Sequence, residues 1–271
     1  MALRLAVVFP GQGTASGEVS SELRDLVGCV VGDGKVPYQL SVFASSVDTF
    51  HEMRGRGVEP AVVAGHSLGE YAAAYASGSL GLEDGARLVA ERDRLMTEAS
   101  RETPGGMIVI IGPGPREVLE AVGTEDGTVV AANFNTPRQT VISGVEGALA
   151  DVAERVGGKK RKLDVVGAFH SPFMQEAAVG MDRLLAEVSL EDPKVPIVSG
   201  MDGAILTKAD DVRLALRDQM LSPVQWVAVV ERFAALGVEE VVEAGGGTLV
   251  RMLRDFEDVE MRGRAAREVL A

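Results

Sequence analysis

A single cysteine, Cys29, stands in a chain of 271 residues. One thiol cannot close an internal disulfide, and its isolation suits a reducing cytoplasm, where the protein is expected to reside. Histidine is nearly as scarce: His51, His66 and His170 are scattered, with no Cys/His cluster at metal-ligand spacing, so no metal is expected. No apolar run approaches the ~18–20 residues that cross a bilayer. The opening MALRLAVVFPGQG is broken by Gly and Gln before any small-residue cleavage site and does not read as a signal peptide. Positive charge is in deficit too. With 27 Lys and Arg against 40 Asp and Glu, the net charge of −13 argues against a general nucleic-acid binder.

What remains is an ordinary apolar share, 46%, enough for one full-sized core and a smaller satellite domain. One local exception interrupts the acidic chain. Lys159-Lys160-Arg161-Lys162 is four consecutive cations, read either as a solvated turn or as a landing place for phosphates or an acidic partner.

Apolar patterning alternates between strand and helix periods along the chain. A strand over Leu3–Phe9 leads to Pro10-Gly11-Gln12-Gly13, and residues 14–36 read as loop with one short helix. A helix from Pro37 to about Arg54, a strand from Ala61, a helix to about Ser77 and a stronger helix over Leu82–Ser100 follow. Next come a strand over Met107–Ile111, a helix over Pro115–Val122 and strands over Val129–Ala132 and Thr140–Ser143. A helix over Val145–Val156 and a strand over Lys162–Val166 complete a β-α-β-β-α-β order. That order is the ferredoxin-like arrangement, here inserted into a larger unit. The remainder returns to helix and strand, and a final helix is expected after Gly245-Gly246-Gly247. The expected fold class is α/β: a large domain from residues 1–104 and 168–271 with a mainly parallel sheet, and a small domain from residues 105–167.

The strand from Ala61 stops at Gly65-His66-Ser67-Leu68-Gly69 and passes directly into a helical pattern. Strand, Gly-x-Ser-x-Gly and helix together form a nucleophile elbow, which exposes the serine Oγ at a helix N-terminus. A serine there either attacks an electrophile or merely caps the helix. A nucleophilic serine needs a base. His66 is adjacent in sequence and points away, and His51 sits in the preceding helix as a surface or core histidine. His170, in VVGAFHSPFM, ends a strand at the sheet edge where sites collect, so it is selected. No acid occupies an obvious orienting loop, unlike the hydrolase triad.

Arg92 is a cation in an apolar place. At about 100° per residue, Leu88, Val89, Leu95, Met96 and Ala99 all fall within about 60° of it. An inward guanidinium needs an anion. An internal carboxylate, an outward-snorkelling chain or a substrate carboxylate each meets that need.

These stretches together resemble the malonyl-CoA:acyl-carrier-protein transacylases, including discrete acyltransferases of polyketide synthases. The resemblance rests on FPGQG (9–13), GHSLGEYAA (65–73), LVAERDRLM (88–96), AANFNTPRQTVISG (131–144), GAFHSPFM (167–174), SPVQW (222–226) and VEAGGG (242–247). It implies a hydrolase-like large domain with a ferredoxin-like insert, Ser67 as nucleophile and His170 as base. It further implies the N–H groups of Gln12 and Leu68 as oxyanion hole, Arg92 on the malonate carboxylate, and the backbone carbonyl at Gln219 orienting the histidine. Phe169 is the rough guide to pocket size. Malonyl-CoA is the implied substrate, with another extender such as methylmalonyl-CoA, or an acyl-thioester hydrolase of the same fold, as the alternatives; no cofactor is bound, and an acyl carrier protein supplies the phosphopantetheine thiol. The acidic carrier gives Lys159, Lys160, Arg161 and Lys162 a docking role. GAFH resembles the malonyl-selective polyketide form. Val36, Asp93 and Gly246 depart from the family pattern, and the segment between Gln12 and Ser67 is shorter than usual, which implies shortened helices over the entrance.

Overall fold

The computed structural model describes residues 4–13, 19–32, 34–123 and 127–271. Leu3 and residues 14–18, on which part of the N-terminal reading falls, lie outside them. The strands are β1 (Leu5–Phe9), β2 (Val62–Gly65), β3 (Gly105–Ile111), β4 (Val129–Thr136), β5 (Gln139–Val145), β6 (Lys159–Lys162), β7 (Ile197–Val198), β8 (Ile205–Leu206), β9 (Glu240–Glu243) and β10 (Arg262–Ala265). The helices are α1 (Ser21–Val31), α2 (Tyr38–Gly55), α3 (Gly69–Ala76), α4 (Leu82–Glu102), α5 (Pro115–Val122), α6 (Glu146–Arg155), α7 (Gln175–Glu187), α8 (Ala209–Asp218), α9 (Trp226–Ala235), α10 (Thr248–Met252) and α11 (Arg267–Leu270).

Two sheets result. The larger runs β10-β9-β1-β2-β7-β8, parallel throughout except where β8 turns back on β7. Its central strands are apolar on both faces, as a sheet covered by helices on each side requires. Val7 and Phe9 pack into one core with α2, α3 and α4, while Ala6 and Val8 pack into another with α9 and α10. The smaller sheet is antiparallel, order β4-β5-β3-β6. Ile110 and Ile142 face α5 and α6 in a third core, whereas Val109 and Val141 face the larger unit. The β-α-β-β-α-β order between residues 105 and 162 is therefore present.

The last strand of that segment is displaced from its expected place. It spans Lys159–Lys162, the cationic run itself, not Lys162–Val166. Val109 pairs with Arg161 and Ile108 with Lys162, so the period-2 alternation of a strand splits the four cations between opposite faces. They form neither a turn nor one patch. A helix does begin after Gly247, as α10, but it is not the last: a 3-10 turn, then β10, an edge strand with no apolar alternation in its sequence, Arg-Gly-Arg-Ala, and α11 follow it.

Candidate active site

Ser67 sits between the end of β2 and the start of α3 with φ +54°, a left-handed backbone that few non-glycine residues adopt. The flanking glycines make this possible. A Cβ on Gly65 would lie 2.1 Å from the Glu70 nitrogen, and one on Gly69 would lie 2.1 Å from the Phe9 carbonyl oxygen. No side chain fits at either position. Leu68, buried, heads α3 directly after the serine.

His170 reaches Ser67 from the loop between β6 and α7, also at φ +54°. Its Nε2 lies 2.8 Å from Ser67 Oγ. Its Nδ1 faces two backbone carbonyls, Gln219 at 2.8 Å and Ser222 at 3.1 Å. Carbonyls only accept, so Nδ1 carries the proton and Nε2 presents its lone pair to the serine hydroxyl. Burial, then the positive charge of Arg92, push the histidine down to about 4 from 6.5, so it is neutral at pH 7.

Arg92 is fully buried in α4. Its Nη2 donates to Ser67 Oγ at 3.1 Å and, more weakly, to Gln219 Oε1 at 3.4 Å. Nη1 donates to Gln39 Oε1. The Tyr71 ring lies 5.9 Å from the guanidinium carbon, within cation–π range. No carboxylate forms an ion pair with Arg92 among the described residues. Buried Glu70 lies in the same network and accepts from Gln219 Nε2 at 3.3 Å, but burial pushes its carboxyl up to about 8. Its carboxyl is thus shifted towards the neutral form, and it makes no ion pair with the guanidinium. Glu70 and Gln39 escaped the sequence reading. Both are polar residues inside apolar helical surroundings, which was the available signal.

The cleft above Ser67 lies between the sheets. It is lined by Gln12, Ser67, Thr248 and Leu249 from the larger unit, by Met107, Asn133, Asn135 and Arg161 from the smaller sheet, and by Phe169 and His170. Gln12 and Phe169 also border a second hollow with Gln39, Asp93 and Met96, towards the Arg92 side. Phe169 thus lines both hollows. His66 does turn elsewhere: its Nε2 donates to Asn135 Oδ1 at 2.9 Å, and its ring lies 5.5 Å from Trp226. His51 is exposed and bonded to the Tyr75 hydroxyl at 2.7 Å. Of the basic run, Arg161 faces the cleft while Lys162 pairs with Glu146 at the start of α6.

An α/β fold with mixed sheets thus brings a half-buried serine together with a buried histidine and a buried arginine. The acyl transferase domain family matches residues 33–252, and the chain belongs to that family. It is 38% identical over 200 residues to the malonyl CoA-acyl carrier protein transacylase of Escherichia coli (strain K12), covering 72% of this chain and 65% of that relative's length. The namesake protein of Haemophilus influenzae is 30% identical over 283 residues, covering 92% of this chain and 91% of the relative. Among solved structures, a type II polyketide synthase acyl-carrier protein in complex with its malonyl-transacylase superposes with a TM-score of 0.88 at 29% identity, covering 97% of this chain and 95% of that one. No helix among the described residues is long and apolar enough to cross a membrane.

Proposed function

We propose that the protein transfers a malonyl group from malonyl-CoA to the phosphopantetheine thiol of an acyl carrier protein through an ester on Ser67. The observation that carries this reading is the buried guanidinium of Arg92, which forms no ion pair with a carboxylate among the described residues and lies 3.1 Å from Ser67 Oγ. It supplies what an acyl group with a free carboxylate needs and what a simple acyl-thioester hydrolase does not.

In this mechanism the malonyl carboxylate rests on Arg92 and the thioester carbonyl on the N–H groups of Gln12 and Leu68. His170 Nε2 removes the Ser67 proton as Oγ attacks the carbonyl carbon. The tetrahedral intermediate collapses with departure of the CoA thiolate, which takes the proton back from His170. The carrier thiol then gives its proton to His170 and attacks the ester, and Ser67 leaves reprotonated. Gln219 orients the imidazole through its carbonyl, the role a carboxylate plays in triads. No cofactor enters: CoA belongs to the donor and phosphopantetheine to the carrier.

The element order and the two sheets support reading the fold as a hydrolase-like domain, residues 1–104 and 168–271, with a ferredoxin-like insert over 105–167. The GAFH stretch and the likeness to a transacylase complexed with a polyketide carrier protein support a discrete acyltransferase of polyketide biosynthesis. Arg161, at the cleft mouth, is the member of the basic run suited to a phosphate or an acidic carrier. The single thiol supports a cytoplasmic setting.

Intact-protein mass spectrometry with a panel of acyl-CoAs tests the proposal. A malonyl adduct that persists in water and disappears on adding carrier protein is expected; an adduct lost to water at the same rate without carrier means hydrolase.

A further inference from the structure

Gln39 is held by α4 in three ways. Its backbone N–H, one of the first-turn donors that α2 cannot satisfy internally, donates to Asp93 Oδ1 at 3.1 Å. Its side-chain Nε2 donates to Met96 Sδ at 3.5 Å. With the amide nitrogen turned to sulfur, the amide oxygen is turned to Arg92 Nη1, which donates to it. Residues 92, 93 and 96 lie within about one turn of helix, so one element fixes the backbone, the nitrogen and the oxygen of this glutamine. Gln39 is buried.

The consequence falls on the guanidinium. Arg92 has five N–H donors, arranged as an end pair (Nη1, Nη2) and a side pair (Nε, Nη2). Gln39 occupies Nη1. Nη2 faces the reacting hydroxyl at 3.1 Å. Nε is buried and has no hydrogen-bond partner among the described residues. A buried donor left unpaired is costly, and the partner that would satisfy it together with Nη2 is a carboxylate lying along that edge.

We propose that Gln39 is a specificity-determining positioning residue: by holding Arg92 Nη1 it assigns the Nε–Nη2 edge to the carboxylate of the acyl group. This rests on the malonyl-transfer reading above. Gln39 touches no reacting atom. It aims a cation so that a carboxylate one methylene from the thioester carbonyl lies beside Ser67, and it matters only for acyl groups that carry that carboxylate.

Two kinds of measurement test this. Self-acylation rates with malonyl-CoA and acetyl-CoA are compared for wild type, Gln39→Met and Gln39→Glu, with melting curves to confirm folding. Gln39→Met frees Nη1, and kcat/KM for malonyl-CoA falls about tenfold with acetyl-CoA unchanged. Gln39→Glu installs an internal anion that competes with the substrate, and malonyl use falls about a hundredfold while acetyl use is kept. Equal losses on both donors overturn the proposal, because a merely structural glutamine would act on both. The second readout is the ¹⁵Nε–¹H resonance of Arg92, assigned with Arg92→Lys, in Ser67→Ala protein saturated with malonyl-CoA. A marked shift is expected; an unmoved Nε signal means end-on binding and overturns the assignment. Malonyl-adduct formation by wild type is the separate control: its failure removes the functional reading, whereas its success with unaltered donor selectivity in both variants removes only the role of Gln39.

Discussion

The backbone carbonyl of Gln219 accepts a hydrogen bond from His170 Nδ1 at 2.8 Å. A carbonyl has no charge to lose, so His170, the proposed base, has no titrating partner of the kind an aspartate provides. The imidazole stands alone, pushed down to about 4 by burial and by Arg92. The acid limb of kcat/KM is therefore expected near pH 4, well below the usual 6.5 of histidine. Because Arg92 supplies part of the depression, Arg92→Gln should move that limb upward in pH, while burial keeps it below 6.5. A limb that stays near 6.5 in wild type would mean the imidazole is not buried beside a cation.

Arg92→Ala separates recognition from chemistry. Under the proposed mechanism the variant loses the partner of the substrate carboxylate but keeps the serine and histidine. The expected result is a fall of about a hundredfold or more in kcat/KM for malonyl-CoA with acetyl-CoA spared, read from single-donor kinetics. Equal loss on both donors would make Arg92 structural.

Glu70 gives a stability prediction with a defined sign. Its carboxyl is raised to about 8 in the fold from an ordinary 4.5, so the folded state holds a proton that the unfolded chain releases. Its contribution is full below about pH 4.5 and is lost progressively as pH rises through about 8. Glu70→Gln, which mimics the protonated form, should flatten that part of the pH–stability curve from urea unfolding. A steepened curve in the variant would show that Glu70 is ionised at neutral pH.

Strand alternation makes the basic run testable residue by residue. Arg161 lines the cleft, whereas Lys160 shares the opposite face with Ile110 and Lys162 pairs with Glu146. Arg161→Glu should raise KM for the carrier protein several-fold, and Lys160→Glu should leave it near wild type. Equal effects from both would restore the reading of one continuous patch.

Much of this site was legible before any coordinates. The elbow announces itself because only glycine fits where Gly65 and Gly69 approach other backbone so closely. Arg92 stands out because helical periodicity places it among apolar neighbours. The small sheet was readable as an element order, but β6 was not placed, since a strand charged on both faces carries no period-2 apolar signal. The same applies to β10, whose pairing with β9 is fixed by position along the sheet edge and not by hydrophobic pattern. Gln39 and Glu70 were missed for a different reason. Their importance lies in partners more than twenty positions away, Arg92 for one and Gln219 for the other. Sequence spacing within a single helix says nothing of such partners.

The most direct measurement locates the acyl group. Protein incubated with malonyl-CoA is digested and the modified peptide sequenced by mass spectrometry, alongside Ser67→Ala and His170→Ala. The account predicts a malonyl ester on Ser67 alone, absent from Ser67→Ala and slowed by at least about a thousandfold in His170→Ala. A malonyl group found on any other residue, or retained in Ser67→Ala, would contradict it.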